Sequence, residues 1–263
     1  MLCFDFIDVS VAIDTITSTQ FIKDPETLSS KSGNFTLGFF CPENSTNRYV
    51  GIWWQPHFTV VWVLNRDQPL KDSSGIVKIS DDGNLVLLEG TTGRTTWESF
   101  EHPQNIMLPN MKVKSNKITG EKVNSTSWKT LFDPSIGSFT TSVERLLIPE
   151  VFIWNETRPY WRTGPWNGKF FTGLPYMKTH YLSGIRVTED GEGTVSFFEI
   201  TMDTVGLIMY YLTPEGICEQ KKWDEKKKEW KVTWNSHETE CDIYGVCGIF
   251  ASCNSRIHQY VAV

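Results

Sequence analysis

Short apolar runs separated by turn residues recur along the chain. Between residues 35 and 89 these runs are FTLGFF, YVGIWW, VVWVLN, GIVKIS and NLVLLE. The segments between them, such as PENSTN and RDQPLKDSSG, are rich in Pro, Asn, Asp and Ser. Apolar runs of this length bounded by turn residues are typical of strands, and their close spacing predicts an antiparallel prism, barrel or sandwich. No segment keeps apolar residues at 3.6-residue spacing, so the sequence predicts an all-β fold with little helix.

The pattern changes after the first group of runs. Residues 104–128 contain several lysines and few β-branched pairs, which predicts a connecting segment packed on the surface. A second β-rich stretch follows, with runs such as EVFIWNE, TVSFFEI and GLIMYYL. The segment QKKWDEKKKEWKVTW has two interpretations: a basic patch with Trp223, Trp230 and Trp234 facing nucleic acid, or a hairpin whose tryptophans face a core. Acidic residues neutralise much of its charge, which favours the hairpin with a solvated DEKKKE turn.

Composition narrows the class of protein. The chain has 263 residues, 40% of them hydrophobic and 21% charged, as expected of a folded globular protein. Its net charge of −6 argues against nucleic acid or an anionic membrane surface as the main partner. No apolar run approaches the length of a membrane span. The N-terminal MLCFDFIDVSVA resembles a secretory leader only weakly, because Asp5 and Asp8 interrupt its apolar stretch.

Sequons and cysteines point to an extracellular setting. Four glycosylation sequons occur, at Asn34, Asn44, Asn124 and Asn155. The chain has six cysteines, which allow fifteen pairings. They are Cys3, Cys41, Cys218, Cys241, Cys247 and Cys253. The last three follow a C-x5-C-x5-C spacing, whereas zinc sites usually contain tighter C-x2-C pairs, so a disulfide module is predicted and no metal is expected.

Motifs for catalysis are missing from the sequence. The five histidines form no H-E-x-x-H spacing, and neither a G-x-S-x-G elbow nor a phosphate-binding glycine loop occurs. Asp81 and Asp82 are adjacent, and neighbouring residues on a strand point to opposite faces, which makes them a poor glycosidase pair. We therefore expect a non-enzymatic protein without a cofactor. In YWRTGPWNG, the rings of Tyr160, Trp161 and Trp166 are either an aromatic platform for a ligand or part of a core.

Several motifs occur together in one order and identify a family. They are FTLGFFCPENSTNRYVGIWW, VVWVLNRDQPL, ISDDGNLVLL, TTWESFEHP, TSWKTLFDPSIGSFT, YWRTGPWNGKFFTG and CDIYGVCGIFASCN. The chain resembles the extracellular region of plant S-domain (G-type lectin) receptor-like serine/threonine kinases and the S-locus glycoproteins. The resemblance covers nearly the whole chain from Asp14 onward.

The resemblance implies a domain order. A leader remnant at 1–13 precedes a bulb-type lectin-like β-prism at 14–103, the connecting segment at 104–128, an S-locus glycoprotein domain at 129–238 and an EGF-like module at 239–263. In relatives a PAN domain, a membrane helix and a kinase come next, and none of them is expected here. The implied function is recognition at the cell surface or in secreted form, as in recognition of pollen or immune perception. The implied partners are a peptide or glycan ligand and a receptor-kinase ectodomain.

Three departures from the family pattern affect these expectations. The lectin-like region lacks about one GNLVL-type repeat, which is expected to expose sheet edges and part of the core. The EGF-like module stops after its third cysteine. Its family pattern pairs Cys241 with Cys253 and leaves Cys247 without its usual partner. Cys41 and Cys218 occupy positions where relatives usually have other residues, so they are expected to be unpaired, with a Cys41–Cys218 disulfide as the alternative.

The resemblance also defines a candidate sugar site. Mannose-binding bulb lectins use Q-x-D-x-N-x-V-x-Y, which falls here on Ser80, Asp82, Asn84, Val86 and Leu88. The central three positions match, and the first and last do not. Each lost hydrogen bond is worth about 0.5–1.5 kcal/mol, so sugar affinity is expected to be weak. The alternative is that Asp82-Gly83-Asn84 is an ordinary turn. The functional alternatives are thus a recognition module, a mannose-type lectin and a non-functional fragment of a receptor-kinase gene, with a carbohydrate-active enzyme the least favoured.

Overall fold

The computed structural model describes residues 14–16, 27–40, 49–55, 58–64, 76–88, 92–145, 147–174, 177, 184–200, 207–248, 251–254 and 259–262. Within these ranges the protein is built of antiparallel strands, and its helices are two short 3-10 turns at Ser99–Glu101 and Glu240–Asp242. This confirms the predicted all-β class. In the described part of the chain, no helix has the length and apolar character needed to cross a membrane.

The strands follow the chain order β1 (Thr15–Ile16), β2 (Thr27–Ser29), β3 (Phe35–Phe40), β4 (Tyr49–Trp54), β5 (Thr59–Leu64), β6 (Ile76–Ile79), β7 (Leu85–Leu88), β8 (Thr95–Glu98), β9 (Ile106–Met107), β10 (Val113–Asn116) and β11 (Lys122–Val123). They continue with β12 (Ser125–Thr130), β13 (Asp133–Arg145), β14 (Pro149–Asn155), β15 (Arg158–Arg162), β16 (Gly184–Glu189), β17 (Thr194–Ile200), β18 (Ile208–Leu212), β19 (Cys218–Asp224), β20 (Glu229–Asn235), β21 (Ala251–Asn254) and β22 (Gln259–Ala262).

The described strands form five four-stranded sheets and one ribbon. Sheet I has the order β2-β3-β4-β5, and sheet II has the order β1-β6-β7-β8. Sheet III, with the order β9-β18-β19-β20, combines one strand from the middle of the chain with three from its last third. Sheet IV contains β12 to β15 in sequence, and sheet V has the order β11-β10-β17-β16. β21 and β22 form the ribbon.

Local sequence explains the first sheet. β3 and β4 are the runs FTLGFF and YVGIWW, and Gly38 lies opposite Gly51 in their register. A Cβ atom on Gly38 would lie 2.7 Å from the ring of Trp53, so the glycine leaves the space that this indole fills. Glycine within a strand commonly marks such a close approach.

Core one lies between sheets I, II and III. Sheet I contributes the largest share of its buried side chains, among them Phe35, Ile52 and Trp62. Ile79 and Leu85 enter from sheet II. Core two lies between sheets III, IV and V, and its buried side chains include Val143, Ile153, Trp161, Phe171, Val195 and Phe197.

Sheet III belongs to both cores because successive residues on a strand point to opposite faces. On β18, Met209 and Tyr211 pack into core one, whereas Tyr210 and Leu212 pack into core two. β9 and β19 show the same alternation, with Ile106 and Trp223 facing core one and Met107 and Cys218 facing core two. On β20, Trp230 faces core one and Trp234, four residues later, faces core two, because the β19–β20 register shifts by one residue between them. Both faces of this sheet are therefore covered by apolar side chains.

Sheet III also packs directly against sheet I. The ring centroid of Trp54 lies 4.4 Å from that of Trp223 and 5.1 Å from that of Trp230. The Trp230 indole Nε1 donates a hydrogen bond of 2.6 Å to Thr59 Oγ1. The hairpin interpretation of QKKWDEKKKEWKVTW is thus the correct one: β19 and β20 pair, and their tryptophans face the two cores.

Two sequence-based expectations need correction. Residues 104–128 do not form a surface connection, because they supply β9 to β11 and part of β12 and bury Leu108, Met111 and Val113. Core one is not left open in the described part of the chain, because sheet III packs against it. The bounds of the five predicted segments stay predictions. Most of sheet III lies within the predicted 129–238 domain, yet its side chains complete core one.

Candidate functional site

The candidate sugar residues begin in a turn, not in a strand. Ser80 N donates to Asn84 O at 2.9 Å, and Ser80 Oγ donates to the same oxygen at 3.0 Å. Asn84 N donates to Asp82 Oδ1 at 3.2 Å. Gly83 has a φ of +90°, a backbone conformation that favours glycine, and any Cβ there would lie 2.8 Å from the Phe35 ring. Because β7 starts at Leu85, the regular two-residue alternation expected for these side chains does not hold before that residue.

The Asn84 side chain is hydrogen-bonded within the protein. Its Nδ2 donates to Glu98 Oε2 at 2.9 Å, and its Oδ1 accepts from Ser99 Oγ at 3.1 Å and from Phe100 N at 3.3 Å. An asparagine amide has two acceptor positions and two donor hydrogens, so these bonds use both acceptors and one donor. A sugar hydroxyl would have to displace bonds that join the turn to the end of β8.

The other candidate sugar residues differ in accessibility. Asp82 is exposed, and Val86 is half-buried in β7. Ser80 is half-buried, and its hydroxyl also donates to Asp82 Oδ1. Leu88 is the last residue of β7, but its side chain lies outside the described part of the structure. The structure therefore brings together Ser80, Asp82 and Asn84 as a self-bonded turn.

The sequons and the remaining cysteines have distinct environments. Asn34 and Asn155 are exposed, Asn124 is half-buried, and Asn44 lies outside the described residues. Cys3 and Cys41 also lie outside them, and the alternative Cys41–Cys218 disulfide is not formed, because Cys218 is a free cysteine. Cys218 carries a free thiol that packs against core two. Burial raises the pKa of this thiol to about 12, with a smaller contribution from the neighbouring Glu219.

The YWRTGPWNG motif serves core packing. Trp161 is buried in core two, and the Trp166 ring lies 4.9 Å from that of Phe171. Gly164 has a φ of +70°, and a Cβ there would lie 2.5 Å from Thr172 Oγ1. The motif thus shapes a corner at the end of β15 and does not present an open aromatic platform.

A wide opening lies beside the cysteine-rich segment, and we call it the cleft. Its volume is about 650 Å³, and it lies between the ends of β15 and β20, the 238–248 segment and β21. Its lining is mixed in character and includes Trp161, Arg162, Asn235, Glu238, Asp242, Tyr244, Cys247 and Cys253. A concave surface that combines aromatic and polar groups is the usual form of a ligand site.

The side chains of Arg162 and Tyr244 are both accessible to solvent in the cleft. The guanidinium carbon of Arg162 lies 5.4 Å from the centroid of the Tyr244 ring, and Tyr244 is 46% exposed. The Tyr244 backbone N donates to Tyr160 O at 2.7 Å, which holds the 238–248 segment against β15. Sequence reasoning did not single out either residue. The available signal was an isolated tyrosine between two cysteines in CDIYGVC.

A capped turn stabilises the start of the 238–248 segment that lines the cleft. Thr239 N donates to Asp242 Oδ2 at 2.7 Å, in a capping box around the second 3-10 helix. His237 stacks on the Tyr160 ring with centroids 4.9 Å apart. Burial lowers the pKa of His237, and the nearby Asp242 carboxylate opposes this shift. At neutral pH the imidazole is therefore uncharged and acts as a packing group.

The three cysteines of the C-x5-C-x5-C motif meet at the cleft. Cys241 and Cys253 form a disulfide, the pairing that the family resemblance implies, and Cys247 has a free thiol. All three sulfur atoms lie within 4.8 Å of one another. While the disulfide is intact, this group offers a single thiol, so it is not a set of metal ligands.

Core two contains a polar cluster that the sequence did not reveal. The Glu199 carboxylate lies beside the Tyr210 hydroxyl, and Gln220 Nε2 donates to that hydroxyl at 3.0 Å. Burial raises the pKa of Glu199 to about 7, and its interaction with the Tyr210 hydroxyl partly offsets this shift. Burial, and then the nearby Glu199, raise the pKa of Tyr210 well above its usual value. A cavity of about 40 Å³ borders Tyr210, Leu212 and Cys218.

Comparison with protein families accounts for both halves of the chain. The D-mannose binding lectin family matches residues 59–95 and 79–129, and the S-locus glycoprotein domain family matches residues 161–261. Among solved structures, BamB from Moraxella catarrhalis aligns at 11% identity over 66% of this chain and 42% of that chain. Its TM-score of 0.13 is too low to inform the fold.

Curated relatives match nearly the whole chain. The G-type lectin S-receptor-like serine/threonine-protein kinase SD1-13 of Arabidopsis thaliana is 37% identical over 295 residues, covering 96% of this chain and 35% of the relative. The related kinase B120 of the same plant is 34% identical over 97% of this chain and 35% of its own length. This chain thus spans about a third of these relatives. The 295-residue alignment is longer than the chain itself, so the relative has internal residues without a counterpart here. The chain is thus similar to G-type lectin S-receptor-like kinases over about a third of their length, and its own family matches are to the lectin and S-locus glycoprotein domains.

Proposed function

We propose that this chain is a non-catalytic extracellular recognition module that binds a peptide or glycan ligand in the cleft beside Tyr244. The observation that carries the proposal is the open cleft, whose lining combines an exposed aromatic ring, an arginine and acidic groups. The relatives are named as receptor-like kinases, and this chain matches their lectin and S-locus glycoprotein domains, which supports a role in recognition. Recognition of pollen or of an immune-type ligand is the finer form of this proposal.

An extracellular setting has independent structural support. Stable disulfides form in oxidising compartments, and Cys241 and Cys253 are joined. Asn34 and Asn155, two predicted glycosylation sites, are exposed, as acceptors for a glycan must be. Secretion through a plant or insect pathway should give soluble, glycosylated, monodisperse protein. Retention and aggregation would favour the alternative of a non-functional gene fragment.

The cleft can be tested by unbiased selection of ligands. Binders are selected on the secreted protein from a glycan array and from a random-peptide phage library, and are then tested on Tyr244→Ala. We expect the selected ligands to lose at least about tenfold in affinity, the equivalent of about 1.4 kcal/mol. Val232→Ala, an exposed apolar position on sheet III, is the matched control and should bind normally. Ligands that bind Tyr244→Ala as tightly as wild type would contradict the cleft as the site.

A mannose-type lectin is the second candidate, because the exposed Asp82 and the half-buried Val86 keep the centre of the sugar pattern. Titration with methyl α-mannoside separates the two proposals. We expect no binding in the millimolar range, since the Asn84 amide is engaged with Glu98, Ser99 and Phe100. Asn84→Ala should instead lower the free energy of unfolding by about 1–2 kcal/mol. Asp81→Ala, in the same turn but outside the sugar pattern, controls for a general effect on the turn. Millimolar mannose binding that Asn84→Ala abolishes would establish the lectin.

A further inference from the structure

A free thiol lies within reach of a disulfide at the edge of the cleft. The Cys247 sulfur lies within 4.8 Å of both sulfurs of the Cys241–Cys253 bond. Thiol–disulfide exchange requires a thiolate that can approach one of the two bonded sulfurs. Cys247 is six residues from each of the other two cysteines, so either new pairing would close a loop of the same length.

The surroundings of Cys247 give it room to move. Gly245 and Gly248 flank it, with φ values of +71° and +80°, and a Cβ at either position would meet no atom within 4 Å. Cys247 is partly exposed and lines the cleft, so solvent reaches it. Cys218 provides the contrast, because its thiol packs against core two and its pKa is raised to about 12. Of the two free thiols in the described residues, Cys247 is the one placed to react.

We propose that Cys241, Cys247 and Cys253 form a thiol–disulfide exchange site that interconverts the disulfide pairings at the edge of the cleft. Cys247 loses its proton to solvent, and its thiolate attacks Sγ of Cys253. A Cys247–Cys253 bond forms as the Cys241–Cys253 bond breaks, and Cys241 leaves as a thiolate that takes up a proton. Attack on Cys241 instead gives a Cys241–Cys247 bond and frees Cys253. One disulfide and one thiol are present before and after each step, so no oxidant or reductant is consumed.

The exchange changes which segments of the cleft wall the disulfide joins. In the observed pairing, the disulfide joins the second 3-10 helix to β21. A Cys247–Cys253 bond would join β21 to the 243–248 turn and release the helix, whereas a Cys241–Cys247 bond would release β21. Because all three cysteines line the cleft, each pairing holds a different part of its wall.

The position of the free thiol reports the pairing directly. The full-length protein is incubated at pH 8.5, quenched in acid, alkylated with N-ethylmaleimide near pH 6.5 and cleaved with chymotrypsin after Tyr244 and Phe250, which separates the three cysteines. Mass spectrometry should find the label on Cys241 and Cys253 as well as on Cys247, in fractions that grow with time. The initial rate should increase with pH, because exchange proceeds through a thiolate.

Two controls make the outcome decisive. A urea-unfolded sample incubated in parallel must scramble, which shows that the assay detects exchange. In the folded Cys247→Ser variant the Cys241–Cys253 disulfide should stay intact, so neither Cys241 nor Cys253 should become labelled. Labelling confined to Cys247 in the folded protein would overturn the proposal, and so would scrambling that persists in Cys247→Ser. The readout needs no ligand, so its failure is distinct from failure of the proposed recognition function.

Discussion

The two cores share one wall, yet they differ in what they bury. The face of sheet III toward core one presents the Trp223 and Trp230 rings, which pack on Trp54 of sheet I. The face toward core two presents Tyr210, whose hydroxyl accepts a hydrogen bond from Gln220 and lies beside the Glu199 carboxylate. The comparison shows that a strand's two-residue alternation lets a single sheet complete an apolar core on one side and hold a buried polar cluster on the other.

This division has an energetic consequence. An apolar face stabilises by removing area from water, at about 25 cal/mol per Å². A buried polar cluster contributes little net stability and is costly when one partner is lost. Core one should therefore govern stability through packing volume, and core two should add a dependence on pH.

The largest expected effect comes from truncating the two faces of β18 in turn. Met209→Ala removes packing from core one and Leu212→Ala removes it from core two, and each should cost about 2–5 kcal/mol. Both variants should still unfold in one urea transition, because sheet III is common to the two cores. Tryptophan fluorescence and far-UV circular dichroism measure this, with the exposed Val232→Ala as control. Two separate transitions in Met209→Ala would show that the cores are independent.

A smaller effect, confined to core two, is expected from Glu199. Its pKa is raised to about 7 in the folded protein, so between pH 4.5 and 7 the unfolded chain releases this proton while the folded chain keeps it. The contribution of this one group to stability is therefore largest below pH 4.5 and falls as pH rises, by about 1–2 kcal/mol because part of the side chain meets solvent. Glu199→Gln should remove this slope from urea unfolding curves, and Glu192→Gln, in an exposed turn, should not. An unchanged slope in Glu199→Gln would contradict the assignment.

The smallest effect concerns the contact between sheets I and III. Trp230→Phe keeps most of the ring packing but removes the Nε1 donor to Thr59, which should cost about 1 kcal/mol. Thr59→Val removes the acceptor from the other side. A double-mutant cycle of unfolding free energies should show non-additivity, since both changes delete the same bond. Strict additivity would mean that the hydrogen bond contributes nothing.

Sequence reasoning succeeded where the signal is local. Alternation and turn residues located β3, β4 and β5 in the first stretch, and acidic residues around the lysines identified the β19–β20 hairpin. It failed for residues 104–128, because lysines and a proline between short apolar groups resemble a surface loop. Their burial depends on strands supplied by residues far away in the chain.

The candidate sites show the same limit. The motif placed Ser80, Asp82 and Asn84 together, but it could not reveal that the Asn84 amide is occupied by Glu98, Ser99 and Phe100. The Cys241–Cys253 pairing followed from the family pattern. The proximity of Cys247 to that bond required coordinates, since equal spacing in sequence does not fix distances between sulfur atoms.

The sequence by itself determined many of the strands, the all-β class and the family resemblance, because apolar alternation, turn chemistry and motif order are properties of neighbouring residues. Only the tertiary structure decided that sheet III covers core one, that the predicted sugar turn bonds to itself, and that three cysteines meet at a cleft. The physical reason is that these features depend on contacts such as Trp54 with Trp223, between residues far apart in the chain. No local pattern encodes which distant face will cover an exposed core.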